Sequence, residues 1–125
     1  MTAIACYCGS GTNFAHCCEP YIKGLKKAPT AGALMRSRYS AYAVHDANYL
    51  WDTTALKERR HHDKAVILGW AKSNRWLKLE VLAETETTVE FNAYYLDALL
   101  QPRVHHEKSL FVKEQGNWYY ADGEY

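Results

Sequence analysis

The chain has no cysteine after Cys18, three prolines in 125 residues, and no run approaching the ~20 apolar residues that a membrane span needs. It has almost no net charge: Lys+Arg 15 against Asp+Glu 14, formally +1. Nucleic-acid binding normally leaves a basic footprint, so this balance argues against that partner. No leader is visible, because Met1-Thr2-Ala3-Ile4-Ala5 lacks both a basic start and an adequate apolar run. The expected location is the cytoplasm, where clustered cysteines read as ligands rather than disulfides. A composition of 48% hydrophobic and 23% charged residues is that of a globular chain. Its length suits one ordinary domain with a short appendage. Ten Tyr and four Trp supply rings with polar ends, which often line pockets or interfaces.

What cysteine there is lies in one stretch: Cys6-Tyr7-Cys8-Gly9-Ser10-Gly11-Thr12-Asn13-Phe14-Ala15-His16-Cys17-Cys18. A structural zinc site takes four N or S ligands in a tetrahedron. Cys6 and Cys8 approach one ion across a tight turn, and Cys17 and Cys18 return to complete the set. Gly9 and Gly11 free the backbone to wrap and to aim amides at thiolates. Other uses of the four thiols are weaker. Four separate core cysteines do not suit so polar a stretch, two disulfides require export, and an iron–sulfur cluster would use the same thiolates. His16 is an alternative ligand to Cys17, but the all-cysteine set is simpler. With every ligand position filled by protein, the metal is expected to be structural, not catalytic.

Beyond the knuckle, Gly24 to Pro29 reads as a linker. Thr30 is a good N-cap, and the proline-free run from Ala31 to Leu50 predicts a long helix with Leu34, Arg38, Tyr42, His45 and Tyr49 along one face. Trp51 to Arg60 is less regular. Asp63 caps a second helix to about Ser73, with Val66, Ile67, Trp70 and Ala71 on its apolar side. The period then changes to two. Leu77, Leu79, Val81 and Ala83 share a face in the first strand, and Val89, Phe91, Ala93 and Tyr95 in the second. The third runs from Val104 to Lys113, with His105, Glu107, Ser109 and Phe111 opposite His106, Lys108, Leu110 and Val112. Gln115-Gly116-Asn117 turns into a fourth strand at Trp118. Short turns imply an antiparallel sheet. Helices followed by strands imply an α+β fold, with about four curved strands wrapping N-terminal helices. The expected organisation is a zinc knuckle over residues 1–24 and an α+β domain over 25–125.

These segments resemble a known family. Cys6-x-Cys8-Gly9-Ser10-Gly11…Phe14…Cys17-Cys18 is similar to the SEC-C motif, the zinc knuckle also found at the tail of the SecA translocase. Ala33-Leu34-Met35-Arg36-Ser37-Arg38-Tyr39-Ser40-Ala41-Tyr42 resembles the signature helix of YchJ-like bacterial proteins. His106-Glu107-x-Ser109-x-Phe111 and Trp118-Tyr119-Tyr120-x-Asp122-Gly123 resemble that family too. Two departures stand out. Tyr7 replaces the proline usual between the first two cysteines, which costs rigidity rather than ligation. No cysteine corresponds to the second, C-terminal SEC-C motif of many relatives. The resemblance implies a nuclear-transport-factor-2-like domain, a cystatin-like cone, and no established activity. The knuckle of SecA serves contacts with partner proteins and with the membrane or ribosome.

The mouth of such a cone is the usual ligand pocket. The polar and aromatic candidates for it are Arg36, Arg38, Tyr39, Tyr42, Trp70, Tyr94, His106 and Glu107. His106 or Glu107 would be the general base of an enzyme, with a Tyr or Arg steadying an oxyanion. The structural alternative pairs Arg38 with Glu107, fixing helix to sheet. His105 and His106, adjacent on a strand, should face opposite ways and share no metal. Lys57 to His62 is the most basic segment and reads as a solvated loop. The favoured function is a zinc-stabilised adaptor that presents its knuckle to another protein, because the strongest motif is an interaction-type zinc module; the alternative is a small-molecule binder or enzyme that uses the cone. An open polar cavity would favour the second.

Overall fold

The computed structural model describes residues 4–124. The first segment folds around its cysteines. Ala5 bridges Asn13, the Phe14 amide donates to the Ile4 carbonyl at 2.8 Å, and a 3-10 turn (Phe14–His16) leads into helix α1 (Glu19–Ile22). Gly9 and Gly11 hold φ near +80° and +85°, which residues with a Cβ rarely adopt.

Thr30 caps α2 (Ala31–Ala43), its hydroxyl accepting from the Ala33 amide at 3.0 Å. This helix is shorter than the proline-free run predicted. His45 adopts φ of +63°, and the Asp46 carboxylate accepts from the Tyr49 amide at 3.0 Å, opening a separate α3 (Ala47–Asp52). A left-handed residue followed by an acidic cap breaks a helix without proline. A 3-10 segment (Leu56–His61) precedes α4 (Lys64–Ser73), which Asp63 caps as predicted, accepting from the Ala65 amide at 2.8 Å.

Four strands follow: β1 (Arg75–Glu84), β2 (Thr88–Leu96), β3 (Pro102–Glu114) and β4 (Asn117–Glu124). They form one antiparallel meander in chain order. Gln115 and Gly116, both at positive φ, make the tight turn between β3 and β4. The fold is therefore the α+β cone expected, with a curved four-stranded sheet and the helices against it.

Three irregularities adjust which side chains face inward, because an extra residue shifts the alternation and bends the strand. The first, between Trp76 and Lys78, turns Trp76 inward and leaves Leu77 about half exposed, contrary to simple alternation with Leu79. The second, between Val81 and Ala83, places Glu84 beside α2, where it pairs with Arg36 at 2.8 Å and lies against Gly32. The third passes over Ala121 of β4, so that Tyr120 and Gly123 both approach Glu107.

The core forms where Leu34, Met35 and Tyr39 of α2 meet Val89, Phe91 and Ala93 of β2, Phe111 of β3, and Trp118 and Tyr120 of β4. Residues 53–55 pair with the outer side of β4: the Ala55 amide donates to the Tyr120 carbonyl at 2.8 Å, and the Tyr120 amide to the Thr53 carbonyl at 2.7 Å. This covers part of an edge that would otherwise invite further strands. No helix among the described residues is long and apolar enough to cross a membrane.

Candidate functional site

Two sites follow from this fold. The first is the cysteine cluster. The sulfurs of Cys6, Cys8, Cys17 and Cys18 all lie within 4.8 Å of one another, and none of the four is in a disulfide. A tetrahedral ion with metal–sulfur bonds of about 2.3 Å sets its ligands about 3.8 Å apart. Cys8 and Cys17 stand at 3.7 Å, so the donor set fits such an ion. His16 is exposed and outside the cluster.

Hydroxyls flank the sulfurs. Ser10 Oγ lies 3.1 Å from Cys17 Sγ, and Ser40 Oγ, fully buried in α2, lies 3.6 Å from Cys6 Sγ. Phe14, Ile22 and Leu79 pack around them. The knuckle is thus seated on α2 and β1 rather than trailing from the domain. The hydrogen bond from Cys18 holds the Cys8 thiol far below its usual range, to about 4. The same contact pushes Cys18 up, and burial pushes Cys17 up. One thiolate is thereby favoured among thiol donors, and a cation would replace the remaining protons.

The second site is a cavity of about 490 Å³ between α2, α4 and the concave face of the sheet. Of the sequence candidates, Arg38, Tyr39, Tyr42, Trp70 and Glu107 line it. The other three do not. Arg36 is held by Glu84. Tyr94 donates to Glu80 at 2.8 Å on the outer face of the sheet, and His106 meets Glu90 at 2.7 Å there. The reason is the two-residue period: Glu107 faces inward, so its neighbour His106 faces outward. His105 and Ser109 share the inner face with Glu107 and line the cavity.

At its sheet-side wall the Glu107 carboxylate is nearly enclosed. His105 Nε2 donates to Oε1 at 2.8 Å, and Ser109 Oγ and Tyr120 Oη donate to Oε2 at 2.6 and 3.0 Å. Gly123 closes over this group. A Cβ there would collide with the Glu107 carboxylate and stand 2.6 Å from Tyr120 Oη. Burial raises the Glu107 pKa, but the three donors outweigh it and hold the group below its ordinary value.

Arg38 does not pair with Glu107. Its Nη1 donates to the Leu50 carbonyl at 2.8 Å and to Thr53 Oγ1 at 2.7 Å, and its guanidinium carbon sits 4.6 Å above the Tyr120 ring. His62, read from sequence as solvated, also lines the cavity. Burial first, and then the Arg38 charge, hold its pKa down. Trp70, Trp76, Tyr42 and Tyr95 meet in a ring cluster with centroids 5.0 to 5.9 Å apart at one end. The alternation of β3 already pointed to His105 and Ser109. The roles of His62 and Tyr120 depend on the 3-10 segment and the β4 irregularity, which no period announces.

Known proteins share both parts. The profile of the SEC-C motif matches residues 5–20, and that of the YchJ middle NTF2-like domain matches residues 30–123. A UPF0225 protein of Geobacter sulfurreducens is 42% identical over 94% of this chain and 77% of its own length. One from Photorhabdus laumondii is 42% identical over 98% and 81%. Among solved structures, the solution structure of a SEC-C motif containing protein from Rhodopseudomonas palustris superposes with a TM-score of 0.88 at 38% identity, covering 97% of this chain and 98% of that one. The crystal structure of such a protein from Psychrobacter arcticus gives 0.76 at 30% identity, covering 98% and 75%. By sequence and by fold, this chain belongs to the UPF0225 (YchJ) family, in which a SEC-C motif precedes an NTF2-like domain.

Proposed function

We propose that this protein binds a small molecule in its cone, and that its knuckle holds one structural zinc ion through Cys6, Cys8, Cys17 and Cys18. The observation that carries the first part is the cavity: the core side chains leave about 490 Å³ open, walled by aromatic rings and entered by a few convergent polar groups. A cone that served only as scaffold gains nothing from such a void, because unfilled apolar space weakens packing. The second part rests on the four-sulfur donor set, which is soft and closed and suits zinc. When bound, the ion would crosslink the two ends of a segment too small to bury a core, and no position would remain on it for substrate.

The adaptor reading has one observation of its own. Ile4 and Tyr7 are exposed on the knuckle, Tyr7 edge-on to Phe14 at 5.3 Å, and offer a small apolar contact to another protein. Set against it, the opposite side of the knuckle is already committed to Ser40 and Leu79.

Two measurements test the proposal. Metal analysis of protein purified without added zinc is expected to give about one zinc per chain. A thermal-shift screen with small aromatic compounds is expected to find stabilising binders. Their effect should vanish in Val66→Trp, which caps the cavity mouth from an exposed position. A screen in which no compound raises the melting temperature would defeat the cavity reading.

A further inference from the structure

We infer that the ligand of this cavity is an aromatic or otherwise apolar carboxylic acid, and that Arg38 is the group that binds its carboxylate. The inference rests on the cavity reading above and adds the charge and polarity of the occupant.

Arg38 is half-buried and lines the cavity, and its guanidinium is always cationic. None of the ion pairs among the described residues uses it. A cation withdrawn from water without a counter-ion is costly, and folds normally pair such groups. Here the two N–H groups of Nη1 are spent on Leu50 and Thr53. Those contacts, with the Tyr120 ring beneath, fix the guanidinium plane without neutralising it. The donors on Nε and Nη2 have no acceptor among the described residues. They form the edge of a guanidinium that accepts a carboxylate with two parallel hydrogen bonds.

The other charged groups in the cavity make no matching demand. Asp63 is exposed, and its carboxylate is taken up as the cap of α4, accepting from the Ala65 and Val66 amides. Glu107 already receives three hydrogen bonds on its two oxygens and is closed over by Gly123. It has little capacity left for a cationic ligand. The remaining wall is mostly ring and aliphatic surface, with Trp70, Trp76, Phe91 and Phe111 prominent. A strongly hydrated anion such as inorganic phosphate would gain one cation and lose its water against this wall. A carboxylate carried on an apolar ring system satisfies both the charge and the surface.

The test uses three ligands of one skeleton on the full-length protein: 2-naphthoic acid, 2-naphthamide and 2-naphthylmethylamine, titrated by calorimetry. The acid is expected to bind about tenfold or more tighter than the amide, the range for a hydrogen-bonded charge, and the amine weakest. Arg38→Gln should abolish the preference of acid over amide, and Arg38→Lys should keep part of it. The Arg38 Nε–H resonance should shift on adding the acid and not the amide, a readout that needs no variant. Equal binding of acid and amide, or tighter binding of the amine, would overturn the inference while leaving the cavity reading intact. If none of the three binds and the broader screen also finds nothing, both fail together.

Discussion

The knuckle and the cone solve the problem of staying folded in opposite ways. The knuckle draws all four of its cysteines from thirteen consecutive residues, Cys6 to Cys18, and has almost no apolar core. The cone draws its core from α2 and from three strands that follow some fifty residues later. In one, a few strong local bonds would stand in for packing. In the other, many weak non-local contacts do the work, and the packing is loose enough to leave a cavity. A site that must hold a ligand cannot also be filled, whereas a metal centre works only when it is.

The largest expected effect is on the knuckle. Structural zinc is worth about 10–16 kcal/mol in isolated zinc-finger peptides at neutral pH. The double variant Cys17→Ser, Cys18→Ser should lower zinc content from about one per chain to near none. In heteronuclear spectra the amides of residues 5–20 should collapse to unfolded positions while strand amides stay dispersed. Collapse of the strand amides as well would break the contrast. It would make the Cys6–Ser40 contact and the packing on Leu79 the joint of one cooperative unit.

Next in size is the converse change. Leu34 is fully buried in the cone, and Leu34→Ala should cost about 2–5 kcal/mol in urea denaturation, with zinc content unchanged. Loss of zinc in the folded variant would again show the two regions to be coupled.

A smaller effect sharpens the cone alone. Glu107→Gln should cost about 1–3 kcal/mol, since one acceptor oxygen and the charge are lost beside buried donors. The pH dependence has a definite sign. Glu107 titrates lower in the folded state than in the unfolded chain, so its contribution is present above the unfolded carboxylate value. It is lost as pH falls through the lower folded value. Thermal melts of the wild type should therefore lose stability on acidification below about pH 4.3, and Glu107→Gln should flatten that limb. An acid limb of unchanged steepness would mean that the donors around Glu107 do not favour its charged form.

Much of this was legible in the residues. Cysteine spacing pointed to the four-cysteine cluster, caps at Thr30 and Asp63 gave the helix starts, and alternation gave the strands. The helix break at His45 was not, because a left-handed residue leaves no mark in hydrophobic period. Nor were the inward turn of Trp76 and the pairing of Glu84 with Arg36, because an extra residue in a strand changes phase without changing composition.

The amino-acid sequence by itself determined the four-cysteine cluster, since its members are near neighbours in the chain and their chemistry is carried by residue type. It also determined the order of helices and strands, which follows from local periodicity. Only the tertiary structure decided the cavity. Which of Arg36 and Arg38 faces inward, which of His105 and His106 meets Glu107, and whether the space between helix and sheet is filled depend on register and strand irregularities. These are set by contacts between residues far apart in the chain, where a shift of one position exchanges the inside of the cone for the outside.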